Sequence, residues 1–442
     1  MDRSNEFDVI VVGSGPGGAT VARELSRKGK SVRILEYGDY DPVKGSFFQA
    51  VSRAFIPGKS VVFTNQGLPV VRAITTGGSS LIYCATAFPP PVDHLKSHGV
   101  DISKEALEVR QEIPVSPLSD DLLGAGPRRF YESARELGYD CRKLEKFIDQ
   151  EKCRPDCQLC MYGCPHGAKW SARSFVSEAL GHGAEMINRA RVERVLVESG
   201  RAVGVEYKQR GDRYRAYAPV VVVSAGGIGT PMILRNSGIP GAGFDFFFDP
   251  LIFVYGKVKG VQGGRAVPMS TGIHYEDEGF LITDFNMPQL FKIAFDLERL
   301  KPGQALSYAD VIPVMVKIRD GLSGEITPRG WVKKPLTEED REKLDRGAAH
   351  AARILSNAGA TGIYRSWVTA AHPGGTVKIG KDLDTNLQTG YENLYVCDCS
   401  VIPEEWGLPP TWTIVALAKR LVRHLSVTDR PSQAGEPADA RR

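Results

Sequence analysis

Continuous apolar runs that end in glycines set the pattern of this chain. The first, Asp8-Val9-Ile10-Val11-Val12, runs into Gly13-Ser14-Gly15-Pro16-Gly17-Gly18. An amphipathic stretch carrying Val21 and Leu25 follows, and then Ser31-Val32-Arg33-Ile34-Leu35-Glu36. An apolar run without polar breaks predicts a strand buried on both faces, as in a parallel sheet, so the pattern reads strand, helix, strand. The glycines at 13, 15 and 18 have dinucleotide-fingerprint spacing. Gly13 makes the tight turn, Gly15 admits a pyrophosphate to the backbone, and Gly18 lets helix and strand pack closely. The helix N-terminus then turns unpaired N–H groups and its positive dipole end towards the phosphates. Glu36 closes the second strand at the distance where an acid takes ribose hydroxyls.

A second buried run, Pro219-Val220-Val221-Val222-Val223, also enters glycines, at Gly226-Gly227, and belongs beside the first two strands. The helix after it contains Thr230-Pro231-Met232-Ile233-Leu234, with Pro231 suited to a first turn, and ends at Ser237-Gly238. Residues 37–75 read as an irregular excursion with short strands such as Val61-Val62-Phe63. Gly77-Gly78-Ser79-Ser80 is a small-residue turn entering a helix; it either lets the backbone approach a phosphate or ring, or supplies a serine N-cap. Phe88-Pro89-Pro90-Pro91 is a stiff connector, and Arg128 to Leu137 reads as a helix closed by Gly138. Met186-Ile187, Val192, Val195-Leu196-Val197 and Ala202-Val203-Gly204-Val205 predict short antiparallel strands, with a turn at Ser199-Gly200. Residues 241–335 alternate aromatic or branched residues with polar ones and predict an antiparallel sheet. Phe244, Phe246, Phe247 and Phe248 are candidates to line a substrate space there, with core packing as their other use. A helix over 336–358 starts at Thr337, with Asp340 loosely completing a capping box.

The fold class that follows is α/β: a Rossmann-like nucleotide domain with a parallel sheet, joined to an α+β substrate domain with an antiparallel sheet. The nucleotide domain is assigned to 1–90, 184–240 and 366–425, the substrate domain to 241–365, a connecting region to 91–183, and a disordered tail to 426–442. With 442 residues the chain exceeds a single core. A formal net charge of +4, without a basic stripe interleaved with aromatics, gives no support for nucleic-acid binding. No apolar run reaches a membrane span, and the first strand starts too early for a signal peptide, so the expected location is cytoplasmic.

Cysteine use sharpens the picture. Cys153, Cys157, Cys160 and Cys164-Pro165 fall within one loop, and from Cys157 onward the spacing matches the end of a bacterial ferredoxin run. An iron–sulfur cluster, [4Fe–4S] or a three-cysteine [3Fe–4S], is the first reading and zinc the alternative, since the longer gap of a structural zinc site is missing. Cys84, Cys141, Cys397 and Cys399 read as small core residues. His94 and His98 stand four apart, but without a carboxylate or cysteine nearby in sequence they read as a solvated pair.

The order of these motifs resembles the glucose–methanol–choline (GMC) oxidoreductases, FAD enzymes that oxidise alcohols. The fingerprint, Gly77-Gly78-Ser79-Ser80, Thr230-Pro231 through Ser237-Gly238-Ile239, His372-Pro373-Gly374-Gly375-Thr376 and Asn393-Leu394-Tyr395-Val396-Cys397-Asp398-Cys399-Ser400 fall in family order over nearly the whole chain. The resemblance implies FAD, with Gly13, Gly15, Gly18 and Glu36 at its ADP half and Gly78 and Ser79 along pyrophosphate and flavin. It puts Val192 at the adenine, Asp398 at pyrophosphate and ribityl, and Thr413 among the cofactor contacts. His372 matches the family's active-site histidine, the base for the substrate hydroxyl while hydride passes to flavin N5; an unperturbed imidazole suits that role.

Three departures follow. Pro409 stands where the family has a second histidine or an asparagine. Ile82 replaces the histidine that some members bond to FAD, so non-covalent FAD is expected. The cysteine loop resembles that of FAD sugar dehydrogenases with an iron–sulfur centre, and implies a dehydrogenase that passes electrons to an external protein or quinone acceptor. The alternatives are a cyanohydrin-cleaving lyase of the same fold and a non-catalytic electron-transfer subunit.

Overall fold

The structure is a computed structural model and describes residues 7–290, 292–293 and 308–428. The expected tail lies almost wholly outside the described residues. Its first layer is a five-stranded parallel sheet in the order 394–396, 220–223, 9–12, 32–35, 185–187. Val9–Val12 sits at its centre and is buried throughout, as its unbroken hydrophobicity requires. The second buried run, Val220–Val223, lies directly beside it in register Val9 to Val220. Met186-Ile187 corrects one expectation: Glu185–Ile187 pairs in parallel with Val32–Leu35 and extends this sheet instead of joining the antiparallel strands. The antiparallel strands are Arg191–Glu198, Arg201–Gln209 and Asp212–Tyr217, the first two joined through Ser199 and Gly200, both at positive φ.

Helix Pro16–Ser26 packs on the sheet through Gly18, where an added Cβ would lie 2.1 Å from the Gly13 carbonyl oxygen. Gly13 has φ +93 and an equally tight approach, 2.3 Å, to the Ser224 oxygen. Both obstacles are backbone, so neither can swing aside. Gly18→Val is expected to lower the thermal midpoint and weaken cofactor retention; overpacking of this kind costs roughly 1–3 kcal/mol or more. An unchanged melting curve would contradict this packing. Helix Gly226–Asn236 begins earlier than its sequence suggests, at the glycines, so Pro231 falls inside it rather than in its first turn. The Gly227 carbonyl that proline leaves without an N–H accepts instead from Thr376 Oγ1 at 2.9 Å.

The second layer is a nine-stranded, mainly antiparallel sheet built on Pro250–Lys257, Thr271–Tyr275, Phe280–Asp284 and Val311–Ile318. It also draws in Val61–Phe63, Pro69–Val71 and Thr369–Ala370, segments that precede and follow 241–365 in sequence. Alternation divides its faces. Ile252, Val254, Ile312, Val314 and Val316 pack with Leu344, Ala351 and Ile354 of helix Glu338–Asn357. Leu251, Phe253 and Met315 face the opposite way. Thr337 and Asp340 form a complete capping box for that helix, with both reciprocal bonds at 3.0–3.1 Å. Among the described residues no helix is long and apolar enough to cross a membrane.

Candidate active site

A cavity of about 1740 Å³ runs from the nucleotide fingerprint to the antiparallel sheet. At one end it is lined by Gly13, Gly15, Glu36 and Val192. A Cβ on Gly15 or on Gly226 would meet no protein atom within 4 Å, so the backbone at both turns is open to a ligand. Glu36 is buried; its carboxylate accepts from Ser14 N (3.0 Å), Ser14 Oγ (2.5 Å) and Gly38 N (2.6 Å), while burial pushes its pKa up. Ser14 Oγ also accepts from Gly77 N at 3.0 Å, which ties the fingerprint loop to the second glycine turn. That turn opens the short 3₁₀ helix Gly78–Leu81, and Gly78, Ser79 and Ile82 line the middle of the cavity. A long, glycine-lined cavity with an acid at one end and apolar walls fits a flavin dinucleotide.

The sheet register assembles the other end. Pro250 pairs with Ala370 and Leu251 with both Thr369 and Lys317, so Asp249, Lys317 and His372 converge where these strands end. His372 Nδ1 lies 3.0 Å from Asp249 Oδ2, and Lys317 Nζ lies 3.1 Å from the same oxygen and 3.4 Å from Nδ1. Asp249 Oδ1 accepts from Gly407 N at 3.0 Å. Asp249 and Lys317 are buried, and His372 and Lys317 line the cavity. The ionised carboxylate can only accept, so Nδ1 donates its N–H to Asp249 and the Nε2 lone pair is left as the imidazole's free base. Burial, and then the Lys317 charge, hold His372 below its ordinary value, which replaces the unperturbed imidazole expected from sequence. Burial lowers Lys317 as well; burial also opposes the charge on Asp249, but the Lys317 charge and the His372 hydrogen bond outweigh it and hold the Asp249 pKa below its ordinary value.

Asp249 and Lys317 escaped the sequence reading. Lys317 stands in the run Val311-Ile312-Pro313-Val314-Met315-Val316-Lys317-Ile318, whose residues are all buried. A lone charge two residues from Met315 in such a run shares its face, and that was the available signal. Phe246, Phe247 and Phe248 are core residues and do not line the cavity. Leu251, Phe253, Met269, Phe285, Met287 and Met315 form that wall.

The remaining predicted residues have definite places. Asp398 lines the cavity while its Oδ2 accepts from Gly226 N (2.8 Å) and Thr230 Oγ1 (2.5 Å), holding the glycine turn in position. Gly18 and Thr413 are buried and do not line the cavity, and Pro409 does. Cys153, Cys157, Cys160 and Cys164 carry free thiols on one loop, and burial raises Cys160 to about 12 and Cys153 to about 11. Lys169 N donates to Cys164 Sγ at 3.4 Å. The Lys169 ammonium is buried and bonds the carbonyls of Ser80, Leu81, Tyr83 and Cys160 at 2.8–3.2 Å, which joins the cysteine loop to the second glycine turn. Met161, between two of the cysteines, lines the cavity.

Comparison with known proteins agrees with this architecture. The GMC oxidoreductase N-terminal model matches residues 7–244 and the C-terminal model residues 316–418. The uncharacterised GMC-type oxidoreductase Rv0492c of Mycobacterium tuberculosis is 28% identical over 93% of this chain and 74% of its own length. The long-chain-alcohol oxidase FAO3 of Arabidopsis thaliana is 24% identical over 93% of this chain and 66% of its own. Pyridoxine 4-oxidase from Mesorbium loti superposes with a TM-score of 0.73 at 16% identity, covering 95% of this chain and 99% of that one, a likeness of fold. Fingerprint, cavity, His372 motif and both family models therefore agree, and this chain belongs to the GMC oxidoreductase family.

Proposed function

We propose that this protein is an FAD-dependent dehydrogenase that oxidises an alcohol to the aldehyde or ketone, with His372 as the base and an iron–sulfur cluster on Cys153, Cys157, Cys160 and Cys164 as the electron exit. The observation that carries the reading is the His372 imidazole on the cavity wall, held by Asp249 through Nδ1 with Nε2 free. Gly13, Gly15, Glu36 and Val192 would hold the ADP half of FAD, and Gly78, Ser79 and Asp398 would lie along its pyrophosphate and flavin, without a covalent link at Ile82. FAD supplies the hydride acceptor when bound. His372 takes the hydroxyl proton at Nε2, and Asp249 stabilises the imidazolium that results. The apolar wall, with Phe253, Phe285 and three methionines, excludes water and favours an alcohol with an apolar body over a sugar. The relationship to long-chain-alcohol oxidases points the same way.

The cysteine loop supports the cluster by its spacing, with four cysteines inside twelve residues, the last of them in Cys164-Pro165. Beside it, Lys146 and Lys169 are buried ammoniums bonded to carbonyls and one hydroxyl, and Cys160 is among the groups that face both. An anionic cluster would balance them. Bound there, it would supply one-electron transfer to a protein or quinone acceptor.

The test is anaerobic mixing of the holoprotein with primary alcohols of increasing chain length. Flavin bleaching with about 1.5 carbonyl products per flavin, two electrons entering the flavin and one the cluster, supports the reading, whereas cyanohydrin cleavage without bleaching would replace it with the lyase. Lys317→Met gives an independent check through the pH profile. A base must be neutral, so bleaching quickens as pH rises through the His372 pKa, with the limb below the ordinary 6.5. Removing the Lys317 charge leaves Asp249 unopposed beside the imidazole, and the limb moves up by about one unit or more. A limb that stays in place would exclude Lys317 as the positioning charge.

A further inference from the structure

The fold supplies what the sequence withheld from His94 and His98. Helix Val92–Ser97 carries His94, and His98 is its C-cap, so the two rings stand one turn apart with centroids 5.5 Å from each other. Glu404 arrives from the loop after Asp398, more than three hundred residues away. Its Oε1 lies 3.0 Å from His98 Nε2 and its Oε2 3.3 Å from His94 Nε2. His94 Nε2 is itself inaccessible to solvent and has no hydrogen-bond partner, although the carboxylate is that close. The three ligand groups lie within 4.8 Å of one another, and the two nitrogen–oxygen separations are near those between neighbouring ligands on a tetrahedral ion.

We propose that His94, His98 and Glu404 form a binding site for a divalent transition metal of the zinc class, two imidazoles and a carboxylate with an outer position open to water. Its place in the fold gives it a purpose. Glu404 stands three residues before Gly407, whose N–H holds Asp249 and through it His372. A metal would pin this loop to the connecting region at 92–98, outside the cavity and apart from the cysteine loop.

The experiment is calorimetric titration of the holoprotein with Zn²⁺ alone, on the wild type, His98→Ala and Glu404→Gln, with iron counted in each sample. The wild type takes up one more saturable Zn²⁺ per chain than either variant, or binds it at least about tenfold more tightly. Its melting temperature rises with Zn²⁺ while theirs do not. Zinc held by vacant cysteines would appear equally in all three proteins and cancel in the difference. Zinc-free melting curves show whether the variants fold, and His94→Asn replaces any that does not. Equal stoichiometry and affinity in wild type and variants, or no saturable binding in the wild type, overturns the site.

Discussion

His372→Ala leaves the flavin bound and oxidised: alcohol-driven bleaching slows by roughly 10²–10⁴, the range for loss of a positioned general base. The proposed cofactor contacts at Gly13, Gly15, Glu36, Gly78 and Ser79 are untouched by this change, so flavin content is expected to stay the same. Asp249→Asn falls in the same range for a different reason. The amide can offer an N–H where the carboxylate accepted, and this favours the tautomer with its proton on Nε2, the nitrogen that must be free. The amide also leaves Lys317 buried at 3.1 Å from a neutral group, so this variant loses stability as well as rate. His372→Ala does not, and comparing the two melting curves separates positioning from folding. An electron-transfer subunit would bleach equally well in both variants.

Cys157→Ala and Cys160→Ala separate the two halves of the reaction. Each is expected to abolish iron and sulfide retention and to cut turnover with a one-electron acceptor by about tenfold or more, while anaerobic bleaching by alcohol stays near the wild-type rate. The main-chain carbonyl of Cys160 that receives Lys169 survives either change, so the second glycine turn keeps its support. If turnover with the acceptor were unaffected, the loop would be a structural clip and the exit would lie elsewhere.

The nucleotide half was legible because each of its demands falls on one residue. A buried parallel strand needs unbroken Val and Ile, and the backbone contacts at Gly13 and Gly18 admit no Cβ. The helix Glu338–Asn357 was legible for the same reason, with cap, box and apolar stripe all local. Contacts between distant strands were not. Met186-Ile187 carries the same apolar signature in either sheet, and only packing beside Val32–Leu35 decides. His372 could be read from its motif, but its partners depend on the register of Pro250–Lys257 against two strands from elsewhere in the chain. Lys317 stands in an otherwise apolar run, and only the strand register brings its ammonium to Asp249. The carboxylate absent near His94 and His98 in sequence is present in space, because the loop after Asp398 brings Glu404 to both rings.

An anaerobic titration of the holoprotein with its best alcohol shows most directly whether an alcohol reduces a flavin that shares its electrons with a cluster. Flavin, iron and acid-labile sulfide are counted per chain, and absorbance is followed to the end point. A flavin alone accepts two electrons, the number one alcohol delivers, whereas a flavin with a one-electron cluster needs about 1.5 alcohols per chain. The larger value is expected, with three or four irons and matching sulfide (about one sulfide per iron). No bleaching by any alcohol, or an end point at one alcohol with neither iron nor sulfide present, would contradict it.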